Sequence, residues 1–272
     1  MTIAVAEWLG SVGLTAPQIL ARDLTRGLLL ISDLGDDRLR ETLDQSPLRE
    51  RELYEVATDL LVQLHCHPPM PGLPVHGLGQ WLEELLLFTD WYCPAVGLEV
   101  DGEAYRAAWT AVLEPVASDG LGPVTVLRDF HAENVMLVRD RQGVAHFGLL
   151  DFQDALAGHP AYDLASVLED ARRDVPPAIE RAMIDRYISE AGQGASFERA
   201  YWALAAQRNT RILGVFTRLW KRDDKPHYRA FQPRLWGLLE RDLDQPGLEP
   251  VRDWFAANVP QSARAEAWKD FA

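Results

Sequence analysis

Residues 127–137, which read LRDFHAENVML, decide the fold of this protein. They place Asp129 five residues before Asn134, with short apolar runs on either side of the pair. A further apolar run ends at Asp151, within the stretch LLDFQD at 149–154 and 17 residues after Asn134. The pattern predicts a loop, a strand, a turn and a second strand, which would bring the three polar side chains together.

This arrangement of side chains suits phosphoryl transfer to a hydroxyl group. One carboxylate must orient the attacking hydroxyl, while another carboxylate and a neutral oxygen ligand hold Mg²⁺ against the nucleotide phosphates. Protein-kinase-like catalytic loops use the same spacing of Asp, Asn and a later Asp. The alternative is an ordinary polar loop, because Asp and Asn are common in turns. The flanking apolar runs favour the kinase-like interpretation.

The rest of the chain predicts a small strand-bearing front followed by a mostly helical body, which is an α+β fold. Short apolar runs predict strands at 18–22, 28–34, 124–127, 135–138 and 146–150. Helical periodicity predicts helices at 1–14, 47–64, 81–92, 105–116, 177–190, 196–220 and 230–241.

Composition and charge exclude several classes of protein. The 272 residues include 27 Lys+Arg and 41 Asp+Glu, so a formal net charge of −14 would repel nucleic-acid backbones. Two cysteines cannot form a disulfide framework in a chain of this length, which favours a reducing compartment. No secretory signal or membrane-spanning run is visible. We expect a soluble cytoplasmic protein that binds neither nucleic acid nor membrane, and the oligomeric state stays open.

Residues 128–134 and 150–155 together resemble the aminoglycoside-phosphotransferase superfamily, which has a protein-kinase-like fold. In that superfamily a histidine more often lies two residues before the aspartate, where this chain has Leu127, whereas His131 lies two residues after it. With that departure, the stretch 151–164 is similar to one branch, the cytoplasmic kinases that phosphorylate N-acetylmuramate and N-acetylglucosamine at the anomeric hydroxyl. The resemblance extends from about residue 14 to about residue 239.

The resemblance implies roles for the three decisive side chains. Asp129 would be the catalytic base, Asn134 and Asp151 would bind Mg²⁺, and ATP would be the phosphoryl donor. Asp163 would be a structural acid that braces the loop, or alternatively the N-cap of a helix.

The resemblance also implies a division of the chain into lobes. Residues 1–35 would be the remnant of a nucleotide-binding small lobe with its hinge, and 36–272 a helical larger lobe with the catalytic and metal-binding loops. Ser32, Asp33 and Leu34 would form the hinge that contacts adenine, although an edge strand ending at a glycine explains the same residues.

The sequence departs from the family in the part that grips phosphates. A glycine-rich loop and a strand lysine normally precede the hinge, but none of the three lysines in this sequence precedes the catalytic loop and no glycine-rich motif occurs. About 27 residues before the hinge strand are too few for the complete small lobe. We therefore expect the front of that lobe to be missing, or an arginine such as Arg22 or Arg26 to replace the lysine.

Four further residues are candidates for contacts with the substrate. N-acetylmuramate carries a lactyl carboxylate, which a guanidinium fork suits well, and we predict that Arg208 and Asn209 face the sugar. The alternative for each arginine is an exposed side chain paired with a carboxylate. His131 is expected to brace the loop or contact substrate, and Asp154 to bind a sugar hydroxyl or a second metal, or to serve as a turn residue.

Two other clusters receive simpler interpretations. His65-Cys66-His67 lacks the spacing of a zinc site, because residues two apart do not share a helix face. The aromatic residues Trp202, Phe216, Trp220 and Trp236 are expected to be core or pocket walls.

Three functions follow in order of preference. The first is an ATP- and Mg²⁺-dependent kinase acting on the anomeric hydroxyl of N-acetylmuramate or N-acetylglucosamine, in peptidoglycan sugar recycling. The second keeps the chemistry but changes the acceptor to an aminoglycoside, choline or homoserine, because an acidic surface would favour a cation. The third is a catalytically impaired binding protein, since the glycine-rich loop and lysine are absent.

Overall fold

The computed structural model describes residues 2–271, apart from the side chain of Lys269. By its contacts the chain divides into two compact units. The first contains the residues up to Val75 together with Gly122–Asp170 and Val175–Gly194. The second contains His76–Leu121, Ala171–Asp174 and the residues from Ala195 onward. The predicted lobe boundary after residue 35 is not addressed by this division and stays a prediction.

The α+β fold class is confirmed, with short strands and many helices. The strands are β1 Ile19–Asp23, β2 Leu28–Ile31, β3 Val75–His76, β4 Val124–Val126, β5 Val135–Leu137, β6 Phe147–Leu149 and β7 Leu156–Gly158. The helices are α1 Thr2–Ser11, α2 Leu39–Gln45, α3 Glu50–His65, α4 Leu78–Leu87, α5 Cys93–Ala95, α6 Gly102–Ala117, α7 Ala161–Leu168, α8 Pro177–Glu190, α9 Ala195–Asp223, α10 Gln232–Leu243 and α11 Glu249–Asn258.

The hairpin of β5 and β6 is the part of the first unit that positions the decisive loop. The two strands pair antiparallel, with Val135 opposite Leu149 and Leu137 opposite Phe147. Leu150 N–H donates to the carbonyl of Asn134 at 2.9 Å, so the pairing continues one step past the strands. The residues that precede β5 and follow β6 therefore lie side by side.

Helix α3 supplies much of the apolar core of the first unit. Its apolar residues Leu53, Ala57, Leu60, Leu61 and Leu64 are at most 1% exposed, whereas Val56 is only partly buried. Each fully buried leucine contributes about 1.5–3 kcal/mol to the free energy of unfolding. The helix begins at Glu50 rather than at the expected proline, because residues 47–49 form a separate 3-10 turn.

The other hairpin of the first unit, β1 with β2, is unusually exposed. Its strands pair antiparallel from Ala21 opposite Leu30 to Asp23 opposite Leu28. Leu20, Leu28 and Leu30 are each more than half exposed. This hairpin precedes residues 32–34, the predicted hinge.

The second unit is built around the 29-residue helix α9 and an aromatic core. The Tyr92 hydroxyl donates to the carbonyl of Ala263 at 2.8 Å and accepts from the indole N–H groups of Trp236 and Trp268, both at 2.6 Å. The core interpretation of Trp236 and Phe216 is confirmed, since they are 0% and 5% exposed. A single helix was predicted at 81–92, but α4 ends at Leu87 and a wider π-helical turn follows from Phe88 to Tyr92.

Within residues 2–271, no helix combines the length and the apolar character needed to cross a membrane. The same part of the chain contains no group of three or more His, Cys, Asp or Glu side chains arranged to hold a metal ion.

Candidate active site

The loop that carries Asp129 begins with a residue in an uncommon backbone conformation. Arg128 has a φ of 73°, in the left-handed region that non-glycine residues rarely adopt. The buried carboxylate of Asp163 holds this turn, because its two oxygens accept from the backbone N–H groups of Leu127 at 2.6 Å and Arg128 at 2.9 Å. Asp163 lies inside α7, so the bracing role is confirmed and the N-cap role is wrong.

The segment from Asp129 to Asn134 closes on itself through hydrogen bonds. The amide Nδ2 of Asn134 donates to the backbone carbonyl of Asp129 at 3.0 Å, and the backbone N–H of Asn134 donates to the carbonyl of His131 at 2.9 Å. The Asp129 side chain is half-buried. The loop therefore presents a carboxylate on a short, internally bonded turn.

Asp151 follows β6 and lies next to Asn134. Its φ is 58°, and its side chain is exposed. One carboxylate oxygen, Oδ2, lies 3.4 Å from Nδ2 of Asn134. The other oxygen, Oδ1, accepts a hydrogen bond from the Nε2 of Gln153. The structure thus places the side chains of Asn134 and Asp151 next to each other, and Asn134 is also hydrogen-bonded to the backbone of Asp129.

The donor set of Asn134 and Asp151 fits Mg²⁺. Hydrogen bonding occupies the amide nitrogen of Asn134, which leaves its carbonyl oxygen available as a ligand. One carboxylate and one amide are sufficient protein ligands, because Mg²⁺ keeps several waters and takes further oxygens from the nucleotide phosphates. This explains why a metal site at these residues needs no group of three carboxylates or histidines.

The predicted hinge residues continue the β1–β2 hairpin. Ser32 makes two hydrogen bonds to Gln18 beside the hairpin. The N–H of Ser32 donates to the Gln18 carbonyl, and the Oγ of Ser32 accepts from the Gln18 N–H, both at 2.8 Å. The carboxylate of Asp33 accepts the N–H of Gly35 at 2.8 Å. Leu34 packs over Gly148 of β6, where an added Cβ would lie 2.8 Å from the Leu34 Cδ1. The predicted hinge therefore contacts the β5–β6 hairpin, which Asp151 follows.

His131 and Asp154 lie in the same loops. His131 is buried, at 5% exposure, and its Nε2 lies 3.4 Å from the amide Nδ2 of Asn134. Asp154 is exposed in the turn after Asp151, where Ala155 N–H donates to the carbonyl of Phe152 at 3.1 Å. Bracing by His131 and substrate contact by Asp154 stay predictions.

Arg208 and Asn209 belong to the second unit and lie on α9. Both are buried, at 3% and 0% exposure, so an exposed surface pair is the wrong interpretation of Arg208. The Asn209 amide donates to the carboxylate of Asp242 at 2.9 Å. Their contact with a sugar stays a prediction.

Two residues of the candidate site were missed in the sequence. Gln153 was not singled out, although its amide bonds to Asp151. Gly148 was missed because its importance lies in a contact with distant Leu34. The signal available for Gly148 was a glycine inside an otherwise apolar strand, which indicates close approach of another segment.

The fold and this loop arrangement define a protein-kinase-like phosphotransferase. The sequence profile of the phosphotransferase enzyme family (APH) matches residues 2–204, and the chain belongs to this family. It is 39% identical to the N-acetylmuramate/N-acetylglucosamine kinase of Caulobacter vibrioides, over 96% of this chain and 75% of that protein. It is 34% identical to the protein of the same name from Pseudomonas aeruginosa, over 97% of this chain and 79% of that protein.

Solved structures of lower identity share the fold. A choline/ethanolamine kinase family protein from Mesorhizobium loti has a TM-score of 0.61 at 16% identity, covering 93% of this chain and 83% of that one. The aminoglycoside phosphotransferase APH(3'')-Id from Streptomyces rimosus, solved with ADP and streptomycin, has a TM-score of 0.52 at 16% identity, covering 76% and 79%.

Proposed function

We propose that this protein is an ATP- and Mg²⁺-dependent sugar kinase that phosphorylates the anomeric hydroxyl of N-acetylmuramate and N-acetylglucosamine. The observation that carries the proposal is the 39% identity, over nearly the whole chain, to a relative named for those two sugars. The meeting of Asn134 and Asp151 beside the Asp129 loop supports the chemistry independently of any relative.

Each candidate residue has a separate task in this mechanism. Asp129 orients the acceptor hydroxyl and takes its proton as the new bond to phosphorus forms. Asn134 and Asp151 would hold Mg²⁺, and residues 32–34 would contact the adenine. Bound ATP would supply the γ-phosphoryl group, whose bond to the β-phosphate oxygen breaks so that ADP leaves, and Mg²⁺ would neutralise the charge of the phosphates. The protein contributes positioning and electrostatics rather than a covalent intermediate.

The proposed reaction takes place in the cytoplasm, where ATP is available. The two cysteines are not paired, which is consistent with a reducing compartment. The net charge of −14 supports a small-molecule acceptor over a nucleic acid.

The proposal is tested by measuring ADP formation in Mg²⁺ with each acceptor in turn. N-acetylmuramate and N-acetylglucosamine are expected to support turnover, while choline, homoserine and an aminoglycoside are not. An anomeric phosphate caps the reducing carbon, so the product should lose its reducing activity, whereas a phosphate on any other hydroxyl leaves the sugar reducing.

Two results would contradict the proposal. Faster turnover with choline, homoserine or an aminoglycoside would support the second acceptor class. Binding of nucleotide or sugar without ADP formation from any acceptor would support the binding protein that lacks a phosphate-gripping lysine.

A further inference from the structure

A cavity of about 310 Å³ in the first unit is lined by residues of α1, of the segment that leads into β1, and of the turn between β5 and β6. Its wall includes Glu7 and Gly10 of α1, Thr15 and Gln18 of the following segment, and Arg141 of the turn. We call it the α1 cavity. Its volume lies within the range of small-molecule sites, roughly 300–1,000 Å³. None of the residues proposed above for catalysis, metal, nucleotide or sugar lines it.

A buried hydroxyl fixes the guanidinium of Arg141 at the wall of the α1 cavity. The Nη1 of Arg141 donates to the Oγ1 of Thr15 at 2.7 Å, and the same Oγ1 donates to the carbonyl of Ala145 at 2.8 Å. Thr15 is only 2% exposed, so the hydroxyl that holds Arg141 is itself held in place. The contact uses one N–H group of the guanidinium and leaves others, which suit the two oxygens of a carboxylate.

Two opposite charges line the α1 cavity without neutralising each other. Among the residues that the structure describes, Arg141 forms no ion pair, and the side chain of Glu7 makes neither a hydrogen bond nor an ion pair. The side-chain amide of Gln18 likewise has no hydrogen bond to the described part of the chain. Arg139, on the same turn as Arg141, shows the usual arrangement, since its Nε donates to the carboxylate of Asp37 at 3.0 Å. The cavity thus offers a positive group, a negative group and a neutral amide.

Space for an occupant exists beside α1 because residue 10 has no side chain. A Cβ added at Gly10 would meet no atom within 4 Å. Leu14 and Pro17, which are both buried, supply an apolar part of the wall. The α1 cavity therefore combines open space at Gly10, an apolar surface and two charges of opposite sign.

We propose that the α1 cavity binds a small zwitterion, namely an α-amino acid with an uncharged side chain. Arg141 binds its carboxylate and Glu7 binds its ammonium group, while Gln18 and the apolar wall contact its side chain. A zwitterion forms charge-assisted hydrogen bonds with both groups at once, whereas a simple anion leaves Glu7 without a partner and a simple cation leaves Arg141 without one. The inference does not depend on which acceptor the protein phosphorylates.

Calorimetric titration tests the proposal with ligands that differ in charge. L-leucine and L-glutamine are titrated into the wild-type protein without ATP or sugar, and at least one should bind with a Kd of about 1 mM or below. Acetylation of the amino group removes the ammonium charge, and amidation of the carboxyl group removes the carboxylate. Each derivative should bind about ten-fold more weakly than its parent, as for loss of a charge-assisted hydrogen bond. Absence of binding by both amino acids, or equal binding of parent and derivatives, would overturn the proposal.

Two charge variants assign the groups that bind each end of the amino acid. Arg141→Gln should weaken binding of the amino acid roughly ten-fold but leave the amidated derivative unaffected, because that derivative has no carboxylate. Glu7→Gln should weaken the amino acid in the same way and leave the acetylated derivative unaffected. Arg139→Gln is the matched control, since it removes the same charge from the same turn but does not line the cavity. Equal weakening in Arg139→Gln and Arg141→Gln would indicate a general field and overturn the assignment.

A further variant blocks the cavity without changing any charge. Gly10→Leu places a side chain in the open space at Gly10 and replaces a glycine within a helix, so the free energy of unfolding should not fall. Binding of the amino acid should be lost, while urea denaturation shows that the variant is folded. A folded Gly10→Leu protein that binds like the wild type would overturn the location of the site. ADP formation enters none of these measurements, so failure of the proposed kinase activity and failure of this site are distinguishable.

Discussion

The carboxylate of Asp163 accepts a hydrogen bond from the backbone N–H of Arg128 at 2.9 Å, and Arg128 is held at a φ of 73°. A buried acid on α7 therefore fixes a strained turn that immediately precedes the candidate base, Asp129. The strain at Arg128 costs on the order of 1–3 kcal/mol, so it persists only because a strong acceptor holds it.

Replacing that acid is expected to destabilise the protein and misplace the loop. Asp163→Asn puts an amide group opposite two N–H donors and leaves one of them unsatisfied, so the free energy of unfolding should fall by about 2–4 kcal/mol. Urea denaturation measures this change. Asp185→Asn, which removes an exposed partner of Arg181 on α8, should change stability by no more than about 0.5 kcal/mol. If Asp163→Asn had the same free energy of unfolding as the wild type, the bracing role of Asp163 would be refuted.

Removal of the candidate base should slow turnover strongly without unfolding the protein. Asp129→Asn keeps the shape of the side chain, and kcat should fall by about 10²–10⁴, the usual contribution of a general base. Asp140→Asn is the matched control. Asp140 is exposed on the turn between β5 and β6 at a φ of 62°, a conformation that asparagine tolerates. Rates are measured by ADP release, and full activity in Asp129→Asn would remove it from the mechanism.

Gln153 is expected to position Asp151. Its amide holds one carboxylate oxygen while Asn134 lies near the other, so Gln153→Ala frees the carboxylate to rotate. We expect the Mg²⁺ concentration needed for half-maximal rate to rise by roughly ten-fold, as is typical when a residue behind a metal ligand is removed. Gln142→Ala, on an exposed turn, serves as the control. An unchanged Mg²⁺ dependence would show that Gln153 does not position the ligand.

We expect the protein to become less stable at acidic pH because of the lowered pKa of His65. Burial, assisted by the charge of His159, lowers the pKa of His65 to about 3, while its Nδ1 is hydrogen-bonded to the Tyr187 hydroxyl at 2.7 Å. In the unfolded chain the pKa returns to about 6.5, so the unfolded state binds an extra proton as the pH decreases below that value. Stability should therefore fall with decreasing pH between about 6.5 and about 3, by up to about 1.4 kcal/mol per pH unit.

His65→Gln is the variant that tests this, since it keeps a partner for Tyr187 but does not titrate. Urea denaturation at about pH 7 and about pH 5 should show a shallower decline in His65→Gln than in the wild type. His67→Gln, two residues on, should retain the wild-type slope. Identical slopes in all three proteins would show that His65 is not buried in its neutral form.

The local features of the candidate site could be predicted from the sequence because they depend on short spacings. A five-residue separation of Asp129 and Asn134, followed by a strand pair that ends at Asp151, predicts the observed β5–β6 hairpin directly. The helical face of α3 was likewise visible in the spacing of its leucines. Both follow from the periodicities of strands and helices.

Contacts between distant segments could not be predicted in this way. β7 has three residues and pairs with β4, which lies 30 residues earlier, so neither its length nor its surroundings indicate a strand. Polar residues were also ambiguous. Asn209 is fully buried with a hydrogen bond to Asp242, and nothing in the sequence near position 209 reveals that partner.

The missing side chain at Gly214 sets how closely α9 approaches the backbone at Leu87. A single methyl group there would act as a wedge and separate the two helices, because an added Cβ would overlap the Leu87 carbonyl carbon at 2.3 Å. Arg211, one turn earlier on α9, would then be drawn away from Glu84 of α4 without being altered itself. A position that has no side chain thus governs an ion pair between two helices.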